Sequence, residues 1–355
     1  MHNICFFNTA KAWGGGEKWH LEISTYLHQK GYPVFVFAHV ESELFKRLKL
    51  NNVPCEGICI SNFSFLNPFQ HQSLTTKLRS LKVSTIIMNL SRDVKIAGPC
   101  AKKAGIKRII YRRGSAIPIK NSILNRYYFR NVLTDVLANS EATKKTINSN
   151  NHNLFKKDKI TVIYNGIETT SIKKAKEQPL FTIVNLGRLE YQKNQLFLIE
   201  LAAELKQRNL HFKLIIGGEG SLRNKLEELI KKLNVANQVS LPGFIEKPLE
   251  FINKADVFVL PSFWEGFGYV LAEAALCKKP IVAFNISSNP EIILDNKSGY
   301  LTEIGDVNKF ADRIEFLYHN KNIREQMGNA GFEHIIQNFD KKTQLQKIED
   351  YIIHE

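Results

Sequence analysis

Leu260-Pro261-Ser262-Phe263-Trp264-Glu265-Gly266-Phe267-Gly268-Tyr269-Val270-Leu271-Ala272-Glu273-Ala274 reads as a buried strand, a loop and a helix start in direct succession. The apolar run that ends at Leu260 predicts a strand, and the apolar stretch from Tyr269 onward predicts a helix. The first turn of a helix leaves its amide hydrogens without intrahelical acceptors, so Tyr269, Val270 and Leu271 would head an anion site. Gly266 and Gly268 permit close backbone approach and positive φ in front of it. Glu265 sits on the loop and Glu273 on the helix, so the two carboxylates can meet one ligand from different ends. One suits sugar hydroxyls and the other a ribose diol, because a carboxylate accepts from two neighbouring hydroxyls at once. Taken singly, each has an ordinary explanation: a solvated loop acid for Glu265, and a helix acid favoured by the dipole for Glu273.

Outward from this stretch the same sentence repeats: a short apolar run, a Gly/Asn/Ser turn, then an amphipathic stretch. Strand-like runs fall at 4–8, 34–39, 85–90, 108–112 and 136–139, and again at 182–187, 212–217, 239–242, 256–261 and 281–284. Most are continuous and rich in Ile, Val and Phe, as in strands covered on both faces. Helical patterns between them include 16–30, 94–104, 194–208, 222–233 and 269–277. Such alternation predicts parallel sheets with right-handed crossovers: an α/β protein of two doubly wound, Rossmann-like domains facing across a cleft. The polar, lysine-rich stretch that ends at Pro179 interrupts the alternation. The expected organisation is therefore a first doubly wound domain at 1–170, a linker at 171–179, a second at 180–338, and a last helix at 339–355, for which packing back on the first domain is one arrangement the sequence leaves open. In open parallel sheets ligands bind beyond the carboxyl ends of the strands, so the strand-to-helix turns are where chemistry is sought.

Arg188 and Lys193 follow the run 182–186, and Asn194 opens the next helix. Two cations at a strand's carboxyl end, opposite an anion-binding helix start, suit a diphosphate, against the alternative of two solvated surface cations. Gly14, Gly15 and Gly16 also follow a strand and open a helix. The next residues, Glu17-Lys18-Trp19, do not complete a nucleotide-triphosphate loop, and no GxGxxG dinucleotide pattern is present. They read as a loop facing a sugar phosphate and acceptor, or as a flexible turn.

Pro261-Ser262, Glu265-Gly266-Phe267-Gly268 and Glu273-Ala274 together resemble the EGFG and E-x7-E pattern of the family 4 retaining glycosyltransferases, which have the GT-B fold. Other turns agree in order: Gly14-Gly15-Gly16-Glu17, Asn139-Ser140, Asn165-Gly166-Ile167, Gly187-Arg188-Leu189 with Lys193-Asn194, Gly217-Gly218-Glu219-Gly220, and Gly243-Phe244. The resemblance implies transfer of a sugar from a nucleoside diphosphate to a glycan or lipid-linked acceptor, with net retention. It assigns catalysis to Arg188, Lys193 and Glu265, the last as a binder of sugar hydroxyls. Donor contacts fall to Gly187, Glu219, Gly243, Phe244, Gly266, Phe267, Gly268, Tyr269, Val270, Leu271 and Glu273. Gly14, Gly15, Gly16, Asp93 and Arg113 stand on the acceptor or sugar-phosphate side. Arg113 occupies the position of a histidine found in many members, and an arginine is no general base at neutral pH. Asp93 reads more readily as a helix cap than as an acceptor-side carboxylate. No metal ligand cluster is seen, so neither cofactor nor metal is expected, and the nucleotide-sugar is a substrate. A nucleotide-sugar epimerase on the same fold would need its own acid–base pair, which is not found; a non-catalytic binder would have no need of all four charged residues.

The 355 residues, 44% apolar, suit two soluble domains, with no apolar run long enough for a spanning helix. No leader pattern precedes the first strand, and five scattered cysteines without a CxxC pair predict reduced thiols in a cytoplasmic protein. The formal charge is +15, concentrated where 101–174 carries sixteen Lys or Arg against four acids. The stretch 119–132 mixes Ile, Leu, Tyr and Phe with Lys120, Arg126 and Arg130. It reads either as a basic amphipathic helix lying on the inner, anionic face of a membrane or as an ordinary surface helix. No nucleic-acid-binding module is present, so no nucleic-acid partner is expected.

Overall fold

The computed structural model describes residues 3–61, 64–169 and 178–353. The chain divides into two compact units, Met1–Gly166 together with Lys342–Glu355, and Ile167–Lys341. Of the expected linker at 171–179, residues 171–177 lie outside the described residues.

Among the described residues the first unit is built on seven parallel strands: β1 (Asn3–Asn8), β2 (Val34–His39), β3 (Cys55–Ile58), β4 (Val83–Met88), β5 (Arg108–Arg113), β6 (Asp135–Ala138) and β7 (Ile160–Val162). They stand in the order β3-β2-β1-β4-β5-β6-β7. Alternate residues of β1 enter different cores. Ile4 and Phe6 pack with Trp19, Ile23 and Leu27, whereas Cys5 and Phe7 pack with Leu78, Ile86 and Ile96. A strand covered on both faces needs the unbroken apolar run that β1 has.

The second unit carries six parallel strands: β8 (Phe181–Leu186), β9 (Phe212–Gly217), β10 (Val239–Gly243), β11 (Val257–Leu260), β12 (Ile281–Phe284) and β13 (Gly299–Thr302). Their order is β10-β9-β8-β11-β12-β13. Both units are thus doubly wound, with the strand order reversing between β1 and β4 and between β8 and β11. Three strands lie outside the apolar runs read from the sequence: β3, β7 and β13. All three are short sheet edges; β3 and β7 are only partly buried, and β13, though largely buried, sets just Tyr300 and Leu301 between Gly299 and Thr302, so the continuous apolar signal of a central strand is missing.

The last helix, Lys341–Ile353, belongs with the first unit almost from its start. Ile348, Tyr351 and Ile352 join the core formed by Trp19, Ile23, Leu44 and Leu48. Arg108 donates to the carbonyls of Tyr351 (2.6 Å) and Ile352 (3.3 Å), a cation placed where the helix leaves its last carbonyls exposed. Glu349 accepts from the Tyr26 hydroxyl at 2.7 Å, the Lys30 ammonium at 2.5 Å and the Tyr32 hydroxyl at 3.0 Å. Burial pushes this carboxyl up, but Lys30, Tyr26 and Tyr32 outweigh burial and hold it below the usual glutamate value. No helix among the described residues is long and apolar enough to cross a membrane.

A carboxylate held low stabilises docking above the ordinary glutamate range of about 4 and loses that contribution as the pH falls through its depressed value. Glu349→Ala leaves three donors without their acceptor, a cost of about 1–3 kcal/mol. Hydrogen exchange at the amides of the last helix is expected to accelerate by roughly tenfold or more at neutral pH. The difference from wild type should shrink in acid; unchanged exchange at neutral pH would refute the clasp.

Candidate functional site

β8 and β11 are neighbours, with Val257 paired to Ile183 and Phe258 to Val184. Their carboxyl-terminal turns, 187–194 and 261–268, therefore emerge side by side at the point of strand-order reversal, where open sheets hold their ligands. Backbone bonds knit these turns to those of the next strands. Gly187 N–H donates to Gly217 O (3.0 Å), Leu189 N–H to Glu219 O (2.8 Å), and Gly218 N–H to Gly243 O (2.7 Å). Glu190 accepts from the Ser221 amide and hydroxyl, and these bonds hold its carboxyl below the usual range.

The turns after β8 and β11 are tied together as well. Phe263 N–H donates to Gln192 O at 2.9 Å, and Gln192 Nε2 donates to Trp264 O at 2.8 Å. Directly beside these bonds, Lys193 Nζ lies 2.6 Å from Glu265 Oε1, with 15% and 7% of the two side chains exposed. A pair so shielded from water interacts more strongly than a surface pair, and removing one member strands the other's charge. Arg188 is exposed, and among the described residues no ion pair engages its side chain. Its carbonyl accepts from Gln195 Nε2 at 2.9 Å, which fixes the turn at the start of the helix Gln195–Gln207.

Gly268, at φ 78°, caps the helix Tyr269–Leu276 in the left-handed region that glycine favours. The structure corrects part of the expected donor set here. Leu271 is wholly buried and its amide donates to Gly268 O at 2.9 Å, so its side chain belongs to the core and its N–H already has an acceptor. Phe267 is also a core residue, its ring 5.3 Å from Tyr269 and 5.4 Å from Phe339. The amide end of the helix, not these side chains, faces the turn. Gly266, Val270 and Glu273 are half-buried around it. Glu219 and Phe244 are exposed, and Gly243 takes φ 85° between them and the end of β10.

In the first unit Gly14 and Gly15 are exposed and Gly16 is half-buried, at the carboxyl end of β1 beside that of β4. Asp93 is fully buried. Its carboxylate accepts from the Thr9 hydroxyl at 2.5 Å and from Leu90 N–H at 2.9 Å, closing the start of the helix Ser91–Ala104. Burial pushes it up to about 7 against those two bonds. The expectation that it faces an acceptor is replaced by a capping role. Arg113 is half-buried; its guanidinium donates to Ile117 O and to Tyr111 Oη at 3.4 Å. The neighbouring Arg112 is a further functional candidate that the sequence does not single out. It is buried, lies over the Trp19 ring at 5.1 Å, and donates to Asn89 and Asn165. Asn89 in turn donates to Glu17, which also accepts from Asn8. The available signal was an arginine directly after the apolar run 109–111, in a strand that carries Arg108 and Arg113 as well.

Two family models match the chain: "Glycosyl transferases group 1" over residues 166–334 and "Glycosyltransferase Family 4" over residues 13–171. An uncharacterized glycosyltransferase of Methanocaldococcus jannaschii, MJ1178, is 31% identical over 69% of this chain and 66% of its own length. A Campylobacter jejuni enzyme named as a 4-alpha-N-acetylgalactosaminyltransferase acting on a diphospho-undecaprenol-linked saccharide is 32% identical over 48% of this chain and 47% of its own. The chain spans about half the length of the curated relatives it matches. Among solved structures, Anabaena HepE in complex with UDP-glucose superposes with a TM-score of 0.85 at 19% identity, covering 100% of both chains.

The packing of these turns sets a stability test. Gly218 has φ 132°, and a Cβ there would lie 2.0 Å from Gly187 O. Gly305 has φ 81° with open space around it. Gly218→Ala is expected to cost about 3 kcal/mol or more, lowering the melting temperature of the second unit by roughly 6–12 °C. Gly305→Ala should cost only about 1 kcal/mol from backbone strain. Equal melting shifts in the two variants would refute the tight junction between the turns.

Proposed function

The chain belongs to the family 4 glycosyltransferases, with the GT-B fold, and from that premise we propose that it transfers a sugar with retention from a nucleoside diphosphate to a glycan or lipid-linked acceptor. The observation that carries this reading is the shielded Lys193–Glu265 pair at the β8/β11 junction, with the exposed Arg188 in the same turn and the amide end of the Tyr269–Leu276 helix following it.

In this reading Arg188, Lys193 and the amide end of the helix neutralise the diphosphate as it departs. Preorganised donors aimed at developing charge are worth about 3–4 kcal/mol each in other enzymes. Glu265, oriented by Lys193, accepts from the sugar hydroxyls; Glu273 takes the ribose; and Gly243 and Phe244, with Glu219, border the base. The bond between the anomeric carbon and the phosphate oxygen breaks, the acceptor oxygen bonds to that carbon on the same face, and the departing phosphate oxygen takes the acceptor proton. The side chains supply the charge neutralisation, so the reaction proceeds without a metal ion. The name of the Campylobacter relative, which acts on an undecaprenol-linked saccharide, supports a lipid-linked acceptor of the cell-surface polysaccharide or lipopolysaccharide type.

A thermal-shift screen with UDP-, GDP- and ADP-sugars should raise the melting temperature with one nucleotide class, because ligand binding to the folded state stabilises it. With that donor, Arg188→Ala and Lys193→Ala are each expected to lower turnover by about 10²–10³-fold, and EDTA to leave it unchanged. Wild-type rates in both variants would remove the site.

A cytoplasmic enzyme with a lipid-linked acceptor works at the inner face of the membrane, and one surface favours that location. On the helix Ile123–Asn131 the side chains of Ile123, Leu124 and Tyr127 are exposed, with Lys120 and Arg130 exposed beside them. Lys102 also donates to Asn131 O at the end of this helix. Apolar side chains ringed by cations suit the headgroup region of an anionic bilayer. Co-sedimentation with phosphatidylglycerol vesicles is expected at low salt, weakened by Ile123→Glu and by about 0.5 M salt, and absent with phosphatidylcholine alone. Failure to bind the anionic vesicles would refute peripheral attachment through this helix.

A further inference from the structure

Tyr191, Phe263 and Trp264 are three aromatic residues that neither the family pattern nor the donor chemistry uses. Tyr191 stands between Arg188 and Lys193, and Phe263 and Trp264 lead directly into Glu265. The Tyr191 ring packs against Phe263, with centroids 5.0 Å apart and planes tilted by 33°, and lies 6.2 Å from Trp264. Tyr191 nonetheless remains 69% exposed, so with one face turned to Phe263 the other is open to solvent.

A single exposed aromatic residue is ordinary on a protein surface. This group differs in being fixed. The backbone bond from Phe263 to Gln192 and the side-chain bond from Gln192 to Trp264 hold its two strands of chain together, and the Lys193–Glu265 pair locks the adjacent residues. The cluster is therefore set in place before any ligand arrives, and binding it would cost little ordering entropy. An aromatic face is electronegative at its centre. The C–H groups on one side of a pyranose ring carry the complementary partial positive charge and form a flat apolar patch of similar size.

We propose that Tyr191, Phe263 and Trp264 form a saccharide platform that stacks a neutral pyranose ring of the acceptor beside the Lys193–Glu265 pair. The inference deepens the transferase reading and rests on it for the word acceptor; the stacking itself rests on the ring geometry. It makes the acceptor a glycan, since a bare lipid phosphate offers no ring face to stack.

The test is saturation-transfer NMR on the full chain in the presence of whichever of UDP, GDP or ADP raises its melting temperature, with methyl α-D-glucopyranoside, methyl α-D-galactopyranoside and methyl N-acetyl-α-D-glucosaminide as probes. Wild type should transfer saturation to the ring protons of at least one probe, Tyr191→Ala should reduce that signal at least fivefold, and Tyr191→Phe should restore it, because the ring face and not the hydroxyl makes the contact. The nucleotide-induced thermal shift in each variant reports an intact fold and donor site. Signal in Tyr191→Ala equal to wild type, or no signal from wild type with any probe while the nucleotide still binds, overturns the platform. A wild-type protein that none of UDP, GDP and ADP stabilises overturns the transferase reading instead, and Tyr191-dependent saccharide signal in that case would leave the platform standing.

Discussion

The pairing of β8 with β11 brings two turns that are distant in sequence to one place, and the chemistry of the second unit depends on that adjacency. A cation on one turn and a carboxylate on the other become a 2.6 Å pair only because the strand order reverses between them. Each turn on its own is a surface loop with scattered charge. Joined, they exchange a backbone bond, a side-chain bond and an ion pair, and the resulting junction holds its charges without help from a ligand. Loops carry function best when a scaffold fixes their ends, and here the scaffold is the parallel register of the sheet.

The first unit solves a similar placement problem with different materials. At its own point of reversal, between β1 and β4, the neighbouring turns are held by a buried polar network. Glu17 accepts from Asn8 and Asn89, while Arg112 reaches Asn89 and Asn165 and lies over Trp19. A Cβ on Gly16 would meet Asn89 at 2.5 Å, so the glycine loop is shaped by this network as much as by its own freedom. Buried polar groups are costly unless satisfied, and these account for one another across three strand ends.

The doubly wound architecture could be read from the sequence because central strands such as β1 and β11 are buried on both faces and leave an unbroken apolar run. The edges β3 and β7 could not, because they are short and only partly buried, nor could β13, whose four residues hold only Tyr300 and Leu301 as an apolar run. At the site, glycine-rich turns with charges at strand ends stand out because few other roles require that composition. Arg112 did not stand out: in a strand that also carries Arg108 and Arg113 it reads as one of several solvated cations until Trp19 and two asparagines, far apart in sequence, are seen around it. Phe267 and Leu271 show the converse. They lie beside the glycine turn, and proximity in sequence cannot say that their side chains turn into the core.

The last helix gives this architecture an order of assembly. Its residues complete a core begun by Trp19, Ile23 and Leu44, yet the 175 residues of Ile167–Lys341 come off the ribosome in between. At about 5–20 residues per second, that interval lasts roughly 9–35 s. During it the first unit carries an uncovered apolar face, while the second unit is being synthesised. The first half of the chain is thus the later of the two to be finished, and slower synthesis lengthens the interval in which its apolar face stays uncovered.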